Sequence, residues 1–596
     1  MKKKVMQVMA SILMFSVLCG CQSSETTKKK KKKTKKSTKV TTVSKETTEE
    51  TTETPSEPTT VPSSDPSGPK SVPGGGHEYS MFITLPTVQT SDNNDIKLEI
   101  ANRTGVQIKE TFLTGQTPQE ALGAILASGN YPDLLYAGNE LTDFYQMGAL
   151  VAWDDYLNDP AYSNLRNMYT DKEWEMFRQS DGHIYWADVY GTQGESKNPT
   201  HNDLAFWIQV RVLEWAGYPK IETLDEYFDL LERYAAENPE GLNGEPLIPY
   251  TMLCDDWRYY CLYVPPICLA GYPDDSTVAV DDSDPDHPVI VDYNDLSSTR
   301  EYYQKLNEEY HKGIVDPDFL DMTYDTYIQK LATGNVLGMC DQWWDFAYNV
   351  NDYFKSNGLD KLGCNYVPLG LAIEKGTPNY WHVENRTINT AGGVAVTTQC
   401  LNPDEVFAFM NRLLDQDMLD LRFWGIEGVD YEVDDQGLYY RTEKMRTMWE
   451  DYSYLGSHAC PYSYLPQYKG TSEDGINAIL PQEQPSEVFA ELPEKVQECF
   501  TAYGCSTYVD FIDSDEKELG PWFPMYLISN SLPTGNPPGD AWNDIQKMFH
   551  KMLPELVMAD DFDEAWDAYL KAYEGCNPEQ YLDYMQQQLD IIVQIG

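Results

Sequence analysis

Carboxylates and large aromatic rings, rather than nucleophiles or metal-ligand motifs, are the side chains with which this chain could do chemistry. It holds 95 Asp+Glu, 14 Trp and 42 Tyr in 596 residues. Aromatic rings pack on apolar C–H faces, and carboxylates accept hydrogen bonds from hydroxyl or ammonium groups. That pairing suits sugars, and it suits peptides or amines as well. A glycoside hydrolase would also use it, with two carboxylates about 5–10 Å apart in a cleft. With so many acids, sequence alone neither selects nor excludes such a pair. Other chemistries lack their signatures: there is no Gly-rich phosphate loop, no nucleophile elbow and no His-Glu-x-x-His. The 8 His are scattered. The cysteines from Cys254 to Cys576 show no CxxC pair and no Cys/His metal spacing. Several sit among apolar neighbours, as in Ile267-Cys268-Leu269 and Gly338-Met339-Cys340. Mostly buried thiols are expected, with one or two bridges. The acid-rich loop Asp274 to Asp286 lacks the ligand order and the glycine of an EF-hand and reads as a solvated hairpin loop. No cofactor and no metal is expected.

One cysteine is different. Met1 is followed by Lys2, Lys3 and Lys4, then by a mostly apolar run from Val5 to Leu18. The run suits a signal-peptide core and is short for a membrane span. It ends Leu18-Cys19-Gly20-Cys21, which resembles the bacterial lipobox, with Cys19 where Ala, Ser or Thr is usual. Residues 1–20 are thus a signal peptide, and Cys21 is the lipidated first residue of the mature chain. Residues 21–76 form a tether. Its basic tract includes Lys28 to Lys33, Lys35, Lys36 and Lys39, and a Thr/Glu and then a Pro/Ser/Gly stretch follow. Such a composition buries too little apolar surface to offset ordering entropy. An acyl chain beside a polybasic patch is a two-signal membrane attachment. The chain is expected on the outer face of the cell membrane of a Gram-positive-type bacterium.

Behind the tether lie 520 residues, too many for one core. With 14 basic and 7 acidic residues before position 77, the remainder holds 30 basic against 88 acidic, a formal charge of −58. That excludes nucleic acid as a partner and disfavours anionic ligands. The elements that must position the aromatics begin with a strand over 79–85, a helix over 95–104 and a strand over 106–110. A helix opens at Thr117-Pro118-Gln119-Glu120, with an N-cap Thr and Pro in the first turn, and runs to Ser128-Gly129. A strand over 131–136 and a helix over 141–147 follow. Strands alternating with helices imply parallel βαβ units.

The stretches ASGNYPDLLYAG (127–138) and FYQMGALVAWDDYL (144–157) resemble extracellular solute-binding proteins of ABC importers, of the carbohydrate-type, maltose-binding-protein-like group. Further pieces arrive in that family's order: SDGHIYWADV (180–189), FWIQVRVLEWAGY and IETLDEYFDLLERYA (within 206–235), YHKGIVDPDFL (310–320) and TGNVLGMCDQWW (333–344). NPDEVFAFMNRLLD (402–415) leads to FWGIEGVDYEVDDQG (423–437), which is similar to the large lipoprotein subgroup; LPELVMADDFDEAWDAYL (553–570) closes the series. The resemblance implies an α/β, type II periplasmic-binding-protein-like fold of two discontinuous lobes, with a ligand cleft between them that closes about hinge strands. Lobe 1 would hold 77–188 and 388–424; lobe 2 would hold 189–387 and 425–596. The implied function is capture of an extracellular solute, an oligosaccharide, by a monomer that delivers it to ABC permease subunits, with no enzymatic activity. Alternatives are a peptide- or amine-binding protein of the same architecture, a secreted glycoside hydrolase, or a structural adhesin.

The resemblance also selects residues. In sugar-binding relatives a strand that starts near a Gly and ends near a Met carries an aromatic into the cleft just beyond it. Here that block is Gly334 to Met339, followed by Asp341-Gln342-Trp343-Trp344. If both tryptophans continue the strand, only one faces the ligand, and Trp343 is preferred. Trp207 matches a second cleft aromatic, Trp186 is a third candidate, and Asn139 and Glu140 would bond hydroxyls from the other lobe. Asp341 is a further candidate ligand-binding residue. Asp133 and Gly425-Ile426-Glu427-Gly428 read instead as residues that shape loops.

Overall fold

The computed structural model describes residues 70–71, 76–85, 90–194, 198–384 and 388–595. The leader, Cys21 and nearly all of the tether lie outside the described residues. The chain divides into two units, each assembled from separated segments. Unit 1 takes the residues up to Val189, Asn389–Asp415 and Asp451–Pro466; unit 2 takes Tyr190–Ile388, Gln416–Glu450 and Gln467–Gly596. Two segments differ from the sequence assignment. Residues 416–424 belong to unit 2, and 451–466 return to unit 1. The return is held by specific contacts: the Asn94 side-chain amide donates to Ala459 O at 2.6 Å, Ile108 N–H donates to Tyr462 Oη at 3.2 Å, and the Tyr464 ring lies 4.9 Å from that of Tyr136. No helix among the described residues is long and apolar enough to cross a membrane.

In unit 1, strand His77–Ile83 pairs in parallel with Val106–Phe112 and with Leu134–Ala137. The connecting helices start where their caps dictate. Asn94 accepts from Lys97 N ahead of helix Asp95–Thr104, and Thr117 forms a capping box with Glu120 ahead of helix Pro118–Ser128. The returning chain then inserts strand Gly393–Val396 antiparallel between Leu134–Ala137 and Trp186–Ala187. Gly393 has φ 144°, and a Cβ there would fall 1.9 Å from Ala187 O. Only glycine lets these backbones approach. Asp133 shapes its loop by accepting from Ser80 N and Ser80 Oγ, both at 2.7 Å.

In unit 2 a four-stranded sheet runs in the order Tyr366–Leu369, Leu204–Gln209, Val336–Gln342, Ile248–Thr251. Leu204–Gln209 is buried at every residue, which explains its unbroken apolar run. Gly338 leaves room for Tyr227, whose hydroxyl donates to Trp207 O at 2.9 Å; a Cβ would sit 2.0 Å from that hydroxyl. The 22-residue helix Pro537–Met558 packs on helices Ser297–His311, Phe562–Glu574 and Pro578–Ile595. The Asn307 amide binds its last carbonyls, donating to Leu556 O, Val557 O and Ala559 O at 2.8–3.1 Å. Gly425 has φ 97°, and Ile426 N–H donates to the Asp430 carboxylate at 2.8 Å, so that glycine-bearing block forms a turn. The acid-rich loop is less solvated than its composition suggests. Asp275 is 2% exposed and accepts from Met525 N and Tyr526 N, both at 2.8 Å, so its carboxylate caps backbone donors inside the fold. The ten described cysteines form no disulfide with one another, and eight of them are buried.

Candidate functional site

Strand Val336–Gln342 ends one residue before the tryptophan pair. Gln342 is extended, at φ −93° and ψ 139°, and Trp343 begins helix Trp343–Asn357. The two rings therefore leave a helical turn about 100° apart rather than opposite faces of a strand. Trp343 turns inward. Its ring centroid lies 5.3 Å from Trp207, 5.9 Å from Phe346 and 4.9 Å from Tyr508. Trp344 turns the other way and lies parallel to Trp257, at 5.9 Å and 10°. Trp257 in turn stacks on Tyr260 at 5.8 Å and 27°. Both rings are half-buried against the same core, so their neighbours and not their exposure tell them apart.

Trp257 is the aromatic that sequence reasoning missed. It sits on the short 3-10 turn Asp256–Tyr259 and is 50% exposed, the largest exposed ring of this group. Its signal was available in Asp256-Trp257-Arg258-Tyr259-Tyr260, an aromatic cluster around one cation. The Arg258 guanidinium covers Trp257 at 4.5 Å and Tyr324 at 3.9 Å, and donates through Nε to Asp345 at 3.0 Å. Burial raises the Asp345 carboxyl above the usual range, against the pull of Arg258. Its Oδ2 is buried without a hydrogen-bond partner among the described residues. The arrangement is a flat apolar surface, Trp257–Trp344, flanked by a guanidinium and a carboxylate. Such a surface takes the C–H face of a ring-shaped or extended ligand while polar groups at its edge bind hydroxyls or charge.

Trp207 and Asp341 stand behind it. Both have no exposed surface, and the Trp207 indole N–H donates to Asp341 O at 2.7 Å. The Asp341 carboxylate accepts from Tyr327 Oη at 2.7 Å, Tyr260 Oη at 3.1 Å and Gln342 N at 2.7 Å. Burial, and then the neighbouring charge of Asp345, push its carboxyl up to about 7. A ligand reaches neither residue without displacing what covers them, so in this arrangement they position the platform.

In unit 1, Trp186 is 3% exposed and its indole N–H donates to Thr390 O at 3.0 Å. Tyr145 meets Trp186 edge-on at 6.5 Å and lies 5.1 Å from Tyr185. Asn139 is exposed and Glu140 half-buried; their carbonyls accept from Thr142 N and Asp143 N at the start of helix Leu141–Gln146. One set of metal-ligating side chains also comes together among the described residues. His201, Asp203 and His382, all in unit 2, place their ligand atoms within 4.8 Å of one another. No sequence spacing signals this cluster, because 181 residues separate the histidines.

No family model matches the chain. A polygalacturonan/rhamnogalacturonan-binding protein, YtcQ of Bacillus subtilis (strain 168), is 20% identical over 445 residues, 71% of this chain and 84% of that protein. A human-milk-oligosaccharide (HMO)-binding, ABC-transporter-associated solute-binding protein from Bifidobacterium longum infantis matches at a TM-score of 0.53 and 13% identity, over 87% of this chain and 99% of that one. The S. pneumoniae ABC-transporter substrate-binding protein FusA, an EF-hand mutant in complex with fructo-nystose, matches at 0.52 and 16% identity, over 87% and 100%. Two discontinuous α/β units, built by a chain that crosses between them, are the fold of the ABC-transporter solute-binding proteins, and this chain has that fold.

Proposed function

We propose that this chain is the solute-capturing component of an ABC importer and that its ligand is an oligosaccharide. The observation that carries the reading is the parallel Trp257–Trp344 surface with Arg258 and Asp345 at its edge. The fold-level relatives agree in kind: their names describe binding of milk oligosaccharides, a fructan and pectic polymers. The ligand stacks on Trp344 and Trp257, and Trp207, Trp343 and Asp341 hold that surface from behind. Asn139, Glu140 and Trp186 are separate candidate ligand contacts on unit 1. The protein releases its ligand unchanged, since Asp341 is sealed by tyrosines and Asp345 is committed to Arg258, which leaves this surface without an open acid/base pair.

A calorimetric and thermal-shift screen tests the reading. Its arms are neutral oligosaccharides, uronate oligosaccharides, short peptides and polyamines, because a ligand that binds the native state raises the melting temperature. Binding of a sugar, weakened by Trp344→Ala, supports it. Tight binding of a peptide or polyamine with no response to any sugar overturns it, as does turnover of a bound sugar.

The anchor belongs to the same proposal. Cys21, behind its charged and apolar leader, carries the lipid that keeps the protein at the membrane beside its permease. Cys21→Ser is expected to move the protein into the medium; retention of that variant, with no lipid label on the parent, contradicts the anchor.

A further inference from the structure

The Nδ1 atoms of His201 and His382 face each other at 3.2 Å inside unit 2, with the two residues 0% and 9% exposed. Each ring is held from its far side by an acceptor. Nε2 of His201 lies 3.0 Å from Leu204 O, and Nε2 of His382 lies 3.4 Å from the Glu384 carboxylate. A carbonyl or a carboxylate only accepts, so each Nε2 carries the hydrogen and each Nδ1 is left with a lone pair. Two lone pairs aimed at one point repel unless something positive stands between them.

A metal ion fits the same point. Two ligands about 2.0–2.1 Å from a tetrahedral zinc are separated by about 3.3 Å, which the imidazole pair matches. The Asp203 carboxylate supplies a third donor within the 4.8 Å span of the set. The outer hydrogen bonds to Leu204 O and Glu384 are of the kind that fix tautomer and orientation in metal-bound histidines. We propose that His201 Nδ1, His382 Nδ1 and Asp203 form a binding site for a divalent transition metal of the zinc type, with one position left open. Two imidazoles and one carboxylate favour zinc, nickel or copper over calcium and magnesium, which prefer all-oxygen shells. The site lies near both ends of the stretch Tyr190–Ile388, by which the chain enters and leaves unit 2. A bound ion ties those two ends to each other.

The test uses the full-length, tag-free protein, stripped with a chelator and titrated with ZnCl2 by calorimetry and with CoCl2 by visible absorption. One equivalent of zinc is expected to bind. Cobalt is expected to give d–d bands without a thiolate charge-transfer band, because no cysteine belongs to the cluster. Asp203→Asn and His382→Gln are each expected to weaken zinc binding by about 100-fold or more, and Glu384→Gln by about 10-fold, with the metal-free melting curves showing that each variant is folded. His382 is buried; if His382→Gln does not fold, the exposed Asp203 decides the matter through Asp203→Asn alone. Absence of one-to-one zinc binding at micromolar concentration overturns the site. Zinc or calcium binding that is unchanged in Asp203→Asn and His382→Gln overturns it as well.

Discussion

Trp343 and Trp344 are neighbours in sequence and belong to two different regions of unit 2. Trp343 joins Trp207, Phe346 and Tyr508 in a ring cluster next to the central strand Leu204–Gln209. Trp344 joins Trp257, half exposed, and Arg258. The first region is tilted and edge-on ring packing of the kind that fills cores; the second is a near-parallel pair, with Trp257 50% exposed and Arg258 over its ring. The difference teaches that residue type does not mark a binding aromatic. What marks a candidate is a large ring that keeps half of its surface exposed, as Trp257 does, next to polar groups at the edge of the same surface.

The comparison can be broken by substitution. The largest effect is expected at Trp207. Its ring is fully buried and its indole N–H is bonded, so Trp207→Ala should cost about 3–5 kcal/mol of stability, read as a lowered melting temperature or denaturation midpoint. If Trp207→Ala melts like the parent and loses only ligand affinity, the assignment of Trp207 to the core fails. Next come Trp257→Ala and Trp344→Ala. Each should weaken ligand binding by about 1–3 kcal/mol while the melting temperature of the free protein barely moves. A large loss of stability in both would make the platform another piece of core. The smallest effect is expected in unit 1, where Asn139→Ala removes an exposed amide and should cost about 0.5–1.5 kcal/mol of binding, measured by calorimetry with the same sugar. If Asn139→Ala binds as tightly as the parent, Asn139 is not a ligand contact.

Local signals carried much of unit 1. The Thr117 cap with Pro118 and Glu120 opens a helix whatever surrounds it, and Gly129 at φ 67° closes it, because both act through the backbone within one turn. Helix Asp95–Thr104 was equally legible from its flanks, Asn94 and Gly105. The return of Asp451–Pro466 to unit 1 was not. Nothing within that segment encodes Asn94, Ile108 and Tyr136 as its partners, since those contacts span more than 300 residues.

The candidate site divides in the same way. The sequence placed Asp341, Trp343 and Trp344 after an apolar strand, because a fully buried strand is a short continuous apolar run. It did not reveal that the strand stops at Gln342. A single backbone change there, from extended to helical, turns one ring onto Trp207 and the other onto Trp257. Composition likewise announced an acidic, aromatic protein, while the one cation that lies on the platform, Arg258, is set there by packing against Tyr324 and Asp345.

By itself, then, the amino-acid sequence determined the composition of residues 1–76, the alternation of strands and helices, and the set of aromatics from which a binding surface could be made. These follow from short-range rules of periodicity, capping and charge. Tertiary structure alone decided which rings each tryptophan packs on, which segments return to which unit, and that His201 meets His382 across 181 residues of chain. Each of those depends on side chains far apart in sequence competing for the same buried space, and burial is a property of the assembled fold rather than of any window along the chain.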